Sequence, residues 1–186
     1  VELLDQTTPI AITPLFFEYS LLKRASDDQK TIVLPEGDDD RVLTAASQIL
    51  GKKIAKLIIL GDPQQIQAKA KALGLDLSAA SLMDPAKSEH YEACVAEYVK
   101  LRSHKGVTEE KAKEVMLDVY YFGTMLVQLG LADGMVSGAA HTTAHTIKPS
   151  FEFIKAKPGV SAVSSVFLMA LEDRVLVYGD CAVIPE

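Results

Sequence analysis

The stretch DGMVSGAAHTTAHTIKP, residues 133–149, passes from an apolar pair, Met135 and Val136, straight into Gly, Ala, Ser and Thr, and closes on Lys148 and Pro149. A strand ending at Val136, a turn through Ser137, Gly138, Ala139 and Ala140, and a helix starting near His141 would aim several backbone N–H groups outward from one point. Such a point suits a phosphate or carboxylate, because the first N–H groups of a helix lack partners within it and its dipole favours negative charge there. Thr142 and Thr143 would add hydroxyl donors, and Lys148, about two turns on, would add charge. Ordinary capping by Ser and Thr is the other reading of the same residues, and spacing alone leaves the two open.

His141 and His145 stand at i and i+4, as a metal pair would. Zinc takes three or four protein ligands, and neither cysteine nor a nearby carboxylate shares this spacing, so no metal is expected and His141 reads as a hydrogen-bonding residue. In LPEGDDDR, residues 34–41, three successive acids would repel an anion; they read as the acidic start of a helix with a structural Arg41. Arg102 closes an apolar stripe of Tyr91, Cys94, Val95, Tyr98 and Val99 at helical spacing. An arginine on such a stripe needs an anion, either an internal carboxylate or a ligand phosphate, and both remain open. The nucleotide fingerprints G-x-G-x-x-G and G-x-x-x-x-G-K-[ST] do not occur.

The elements that would position these groups follow from periodicity. PLFFEYSLLKRASDD reads as a short amphipathic helix. TIVLP is a β-branched run, DDRVLTAASQILGK places Val42, Leu43, Ala46, Ile49 and Leu50 at helical spacing, and AKLIILG is a second apolar run, together a βαβ unit. PQQIQAKAKALG opens with Pro63 and stops at Gly74, a short strand follows at 81–83, and a helix bears the Arg102 stripe. A second long helix starts at Thr108 and runs through VMLDVYYFGTMLVQLG, where Gly123 suggests close packing. After it come the strand GMVS and a helix interrupted at Pro149. The last 26 residues switch to SAVSSVFLMAL and RVLVYGDCAV, a hairpin. Alternating strands and helices imply a three-layer α/β/α domain with a largely parallel sheet, whose ligands bind at the carboxyl ends of the strands.

The chain has 186 residues, 48% of them hydrophobic, with 19 Lys and Arg against 25 Asp and Glu for a net charge of −6. No apolar run is long enough to span a membrane, and no basic stripe interleaved with aromatics suggests nucleic acid. Cys94 and Cys181 are too few for a disulfide framework, which points to a reducing, cytoplasmic setting. The abrupt ends read as those of a piece of a longer protein.

Six ordered blocks, IVLPEGDDDR, LRSHKGVT, YYFGTM, DGMVSGAAHTTAHTIKP, PGVSAVSSVFLM and VYGDCAVIPE, resemble the phosphate acetyltransferase family over about residues 30–186. The resemblance implies interconversion of acetyl-CoA and phosphate with CoA and acetyl phosphate, by direct thiolate attack in a ternary complex. The cleft for it would lie between two α/β/α domains similar to those of isocitrate dehydrogenase, of which this chain would hold only an incomplete part. Residues 1–29 would be a linker helix from a preceding domain, 30–157 the first subdomain, and 158–186 the first strands of a truncated second one. CoA is then a substrate, with no metal or prosthetic group, and the full-length protein is expected to be a homo-oligomer. Arg102 matches an arginine implicated in CoA or phosphate binding, and Lys148 stands where the family usually has a second arginine. Substrate and CoA contacts are expected from Arg102, Ser137, Gly138, His141, Thr142, Thr143 and Lys148. The catalytic Ser, Arg and Asp would lie beyond Glu186, so the chain alone is expected to be inactive. Two alternatives share these blocks: a non-catalytic acyl-CoA-sensing domain of the kind attached to some malic enzymes, and a phosphate butyryltransferase.

Overall fold

The structure, a computed structural model, describes residues 13–154, 156, 158–160 and 163–179. The chain divides into two compact units, one of residues Ala25–Lys155 and one combining Val1–Arg24 with Ala156–Glu186. Helix α1, Pro14–Asp27, buries none of its residues. Residues 1–12 of the expected linker and residues 180–186, which include Cys181 and most of the block ending VIPE, lie outside the described residues.

The larger unit is built on strands β1 (Lys30–Leu34), β2 (Ala55–Leu60), β3 (Ser81–Met83) and β4 (Gly134–Met135), in the order β3-β2-β1-β4 and all parallel. Helices α2 (Asp40–Lys52) and α3 (Pro63–Ala72) connect the first three strands. Helices α4 (Tyr91–Arg102), α5 (Glu109–Val115) and α6 (Val119–Gln128) lead to β4, and α7 (Thr143–Phe153) follows it. Alternation along β1 and β2 separates the two faces of the sheet. Leu34, Leu57 and Ile59 pack with Leu43, Ala46, Ile66 and Ala70 of α2 and α3. Val33, Ile58 and Leu60 pack with Cys94, Val95, Tyr98, Phe122, Met125 and Leu126 of α4 and α6. The result is the three-layer α/β/α arrangement that the alternating pattern implied. Cys94 is fully buried, and burial pushes its thiol up to about 12.

The chain runs β1 to β2 to β3 in one direction and then returns to place β4 on the other side of β1. The carboxyl ends of β1 and β4 therefore flank the switch point of the sheet, where a crevice forms. Asp133 secures the return by exchanging backbone N–H groups with Thr31: its own N–H donates to the Thr31 carbonyl at 2.8 Å, and its carboxylate accepts the Thr31 N–H at 2.8 Å.

Several boundaries differ from those expected. The single long helix from Thr108 is two, because the Asp118 carboxylate captures the N–H groups of Tyr120 and Tyr121 at 2.9 and 3.2 Å and starts a new helix. The strand expected over GMVS holds only Gly134 and Met135, although the Val136 N–H still donates to Val33 at 3.0 Å. The following helix begins at Thr143, two residues later than expected, with Thr142 as its cap. Pro149 lies within α7 without ending it, buried beneath the helix. In the smaller unit β5 (Val166–Ala170) and β6 (Val175–Gly179) form the expected antiparallel hairpin.

Two glycines test this packing. A Cβ on Gly37 would collide with the Leu60 carbonyl oxygen, a backbone atom fixed in β2, and with the Ile66 and Ile59 side chains. On Gly123 it would meet Met135 Sδ at 2.9 Å, a flexible thioether, and the better helix propensity of Ala returns up to about 1 kcal/mol. Gly37→Ala is expected to destabilise by about 1–3 kcal/mol and Gly123→Ala by clearly less, as read from urea denaturation midpoints.

Candidate active site

At the switch point the loop after β1 carries Glu36, which is only 2% exposed. Its carboxylate accepts the N–H groups of Gly138 and Ala139 at 3.0 Å each and of Ala140 at 2.7 Å, together with the Tyr120 hydroxyl at 2.8 Å. The turn that reads as an anion cradle thus does hold a carboxylate, and the carboxylate is the chain's own. Burial works to raise the Glu36 pKa, and the amides of Ala140 and Ala139, the Tyr120 hydroxyl and the Gly138 amide outweigh it, holding the group below its usual range. Arg41 braces the same turn from the other side, donating to the Ala139 carbonyl while gripping Asp39 through Nε at 3.0 Å and Nη2 at 2.7 Å. Asp39 caps α2 and is held down to about 2, above all by Arg41. Arg41 is the structural residue that the acidic context suggested.

The two histidines are held from below by α6. His141 Nδ1 lies 2.6 Å from the Tyr120 hydroxyl, and His145 Nε2 lies 3.1 Å from Asp118 Oδ2. Their rings are 5.4 Å apart, and each meets the Tyr120 ring edge to face. Among the described residues no cluster of ligands suits a metal ion. Thr142 accepts the His145 N–H at 3.3 Å as the α7 cap, Thr143 is exposed at the first helical position, and the Ser137 hydroxyl is buried without a hydrogen-bond partner.

Arg102 and Lys148, 46 positions apart in sequence, line one cleft of about 460 Å³. Lys105 and Lys111 also line it, opposed by Glu114, Asp118 and Glu152, so a chain of net charge −6 has a locally cationic surface here. Glu152 is committed to structure: it accepts Tyr98 Oη at 2.9 Å and Tyr121 Oη at 3.1 Å, and its main-chain carbonyl accepts Arg102 Nη1 at 3.2 Å. Burial and the Glu152 carboxylate raise both tyrosines, Tyr98 to about 12, so they remain donors. Among the described residues neither Arg102 nor Lys148 forms an ion pair, and Arg102 Nε is buried without a partner. Asp118 belongs to both places, lining the cleft and holding His145.

Reading the sequence alone missed Glu36, Tyr120, Asp118 and Glu152. Glu36 stands among three other acids that are solvated or capping, and only its place at the end of a buried strand separates it from them. Because its folded pKa is lowered, Glu36 contributes stability that is present above the unfolded carboxyl value of about 4.3 and is lost as pH falls through the folded value. Glu36→Gln is expected to be less stable than the native chain at pH 7, with the gap closing on acidification; a gap independent of pH in denaturant titrations would refute an ionised Glu36.

The chain matches the family described as Phosphate acetyl/butaryl transferase over residues 16–186. It is 54% identical over 170 residues to the phosphate acetyltransferase of Corynebacterium glutamicum, covering 91% of this chain and 52% of that protein. It is 51% identical over 175 residues to the phosphate acetyltransferase of Nitratidesulfovibrio vulgaris, covering 94% of this chain and 25% of the relative. The fold aligns with the EutD phosphotransacetylase from Staphylococcus aureus at a TM-score of 0.82 and 46% identity, over 90% of this chain and 52% of the other. The chain spans from a quarter to about half the length of these relatives. The chain therefore belongs to the phosphate acetyl/butyryl transferase family of acyltransferases.

Proposed function

We propose that this protein interconverts acetyl-CoA and phosphate with CoA and acetyl phosphate, and that the described residues supply its anion-anchoring side. The observation that carries the reading is the pairing of Arg102 and Lys148 on one cleft, with no ion pair to a described residue, in a member of this family. Both substrates carry phosphate groups, and two cations without an ion pair to a described residue are suited to them. Arg102, held at Nη1 by the Glu152 carbonyl and with Nε buried, offers its terminal nitrogens to a ligand.

In this reading the CoA thiolate attacks the acetyl carbonyl, the bond from that carbon to the phosphate oxygen breaks, and phosphate leaves. Holding both reactants side by side supplies most of the rate enhancement. The amides of Gly138, Ala139 and Ala140 are engaged by Glu36 and give shape to the turn, and the Ser137 hydroxyl is buried, so direct contacts fall to His141, Thr142, Thr143 and the start of α7. The Ser, Arg and Asp of the family's chemistry are not assigned to any residue here, and the isolated 186 residues are expected to turn over near background. We place the reaction in the cytoplasm, in a homo-oligomeric protein. Butyryl transfer is the second reading, favoured by a family description that names both acyl groups.

Acetyl-CoA formation from CoA and acetyl phosphate by the intact protein tests the activity, with butyryl phosphate as the competitor. Arg102→Ala is expected to weaken CoA or phosphate binding by about 1.5–3 kcal/mol, roughly 10- to 150-fold. Lys148→Arg should preserve or lower KM, whereas Arg102→Lys should raise it, since a point charge cannot reproduce two parallel donors. A drop in Tm for Arg102→Ala with unchanged kinetics would assign Arg102 to structure alone.

A further inference from the structure

Glu152 joins three helices through one residue. Its Oε2 accepts the Tyr98 hydroxyl of α4 at 2.9 Å and its Oε1 the Tyr121 hydroxyl of α6 at 3.1 Å, while its backbone belongs to the last turn of α7. The rings close round the joint: Tyr98 stands edge-on to Tyr121 and to Phe153, with centroids 6.1 and 5.7 Å apart. Two cations of the cleft ride on the same frame, Arg102 one turn beyond Tyr98 on α4 and Lys148 one turn before Glu152 on α7. The last carbonyls of a helix have no N–H partner within it and favour a cation, and the Glu152 carbonyl accepts Arg102 Nη1 at 3.2 Å. Arg102 Nε is buried without a partner and the guanidinium forms no ion pair with a described residue, and that one carbonyl therefore aims it.

Where α7 ends is consequently where Arg102 points. Pro149 has no N–H, so the ladder bond that would reach back to the His145 carbonyl is missing midway along the helix, and its last turn depends the more on outside anchors. Phe153, 3% exposed, seats that turn in the core, but hydrophobic packing is non-directional. Two hydrogen bonds to a carboxylate are directional and charge-assisted. We propose that Tyr98, Tyr121 and Glu152 are positioning residues for phosphate binding: the two hydroxyls clamp the Glu152 carboxylate, and the clamp fixes α7 so that Arg102 and Lys148 face a ligand phosphate at one set separation. None of the three needs to touch the ligand. Donors fixed in advance lower the ordering that binding must otherwise impose. The ligand role rests on the acyl-transfer reading above, in which the phosphate belongs either to CoA or to acetyl phosphate. The clamp on Arg102 stands on the hydrogen bonds alone.

Tyr98→Phe and Tyr121→Phe each remove one oxygen, keep the ring and leave every charge in the cleft unchanged. In ligand-free intact protein labelled with ¹⁵N-arginine, a held Arg102 guanidinium gives separate Nη1 and Nη2 signals, and a freely rotating one gives a single averaged signal. Separate signals are expected in the native protein, and averaging in the double variant Tyr98→Phe/Tyr121→Phe. Tyr121→Phe alone, at a ring that is only partly buried, is expected to lie between the two and gives the answer should the double variant not fold. A native Arg102 that is already averaged, or one that stays separate in both variants, would overturn the clamp. In steady-state kinetics of the intact protein, Tyr121→Phe is expected to raise KM for CoA or acetyl phosphate roughly 2- to 10-fold with kcat kept, and the substrate whose KM moves identifies the phosphate that Arg102 holds. In an Arg102→Ala background the same substitution should cost nothing further. An equal penalty in both backgrounds, or a lowered Tm with both KM values unchanged, would overturn the positioning role. Native protein that turns over neither acetyl nor butyryl phosphate contradicts the acyl-transfer reading and the ligand role together, while the ligand-free signals still decide the clamp.

Discussion

Everything near the switch point depends on one buried carboxylate. Glu36 leaves the end of β1, crosses to the loop after β4, and gathers three consecutive amides and a phenol. Parallel pairing of β1 with β4 brings the two loops within reach, and β4 contributes only two residues to the sheet, so ladder bonds alone hold that loop weakly. A charge so buried is costly unless its lone pairs are filled, and here four donors fill them. The turn is consequently preorganised before any ligand arrives, with its backbone geometry set by an internal anion.

The same economy of partners appears in Asp118. One oxygen stops α5 and α6 from merging by capping Tyr120 and Tyr121; the other holds His145. Glu152 likewise occupies two tyrosine hydroxyls through its carboxylate and Arg102 through its carbonyl. Asp118 and Glu152 are thereby given structural duties, and Arg102, Lys105 and Lys148 form no ion pair with a described residue, on a chain whose overall charge is negative. Net charge says little about a site when the acids within it are occupied elsewhere.

Much of the fold was legible because its signals are local. The β-branched and apolar runs located β1 and β2, helical spacing located α2, Thr108 and Pro63 began helices as their chemistry suggests, and Gly123 does sit where Met135, Val33 and Leu60 close in. The misread boundaries share one cause. Asp118 and Thr142 look like ordinary helical residues until their side chains are seen to capture backbone N–H groups, a choice that apolar spacing does not record. In the site, Arg102 and Lys148 were readable as unusual cations. Glu36 was not, because its meaning depends on a turn 102 residues away.

Cys94 shows how the fold treats its own sulfur. Sealed beneath α4 and with its pKa raised to about 12, the thiol has about one part in 10⁵ of thiolate at pH 7. Disulfide exchange proceeds through the thiolate, so this side chain is kinetically silent towards oxidised low-molecular-weight thiols. The protein can thus carry a cysteine in its core without forming mixed disulfides there. Packing, by keeping this sulfur protonated, withdraws it from thiol chemistry that reaches the protein's surface.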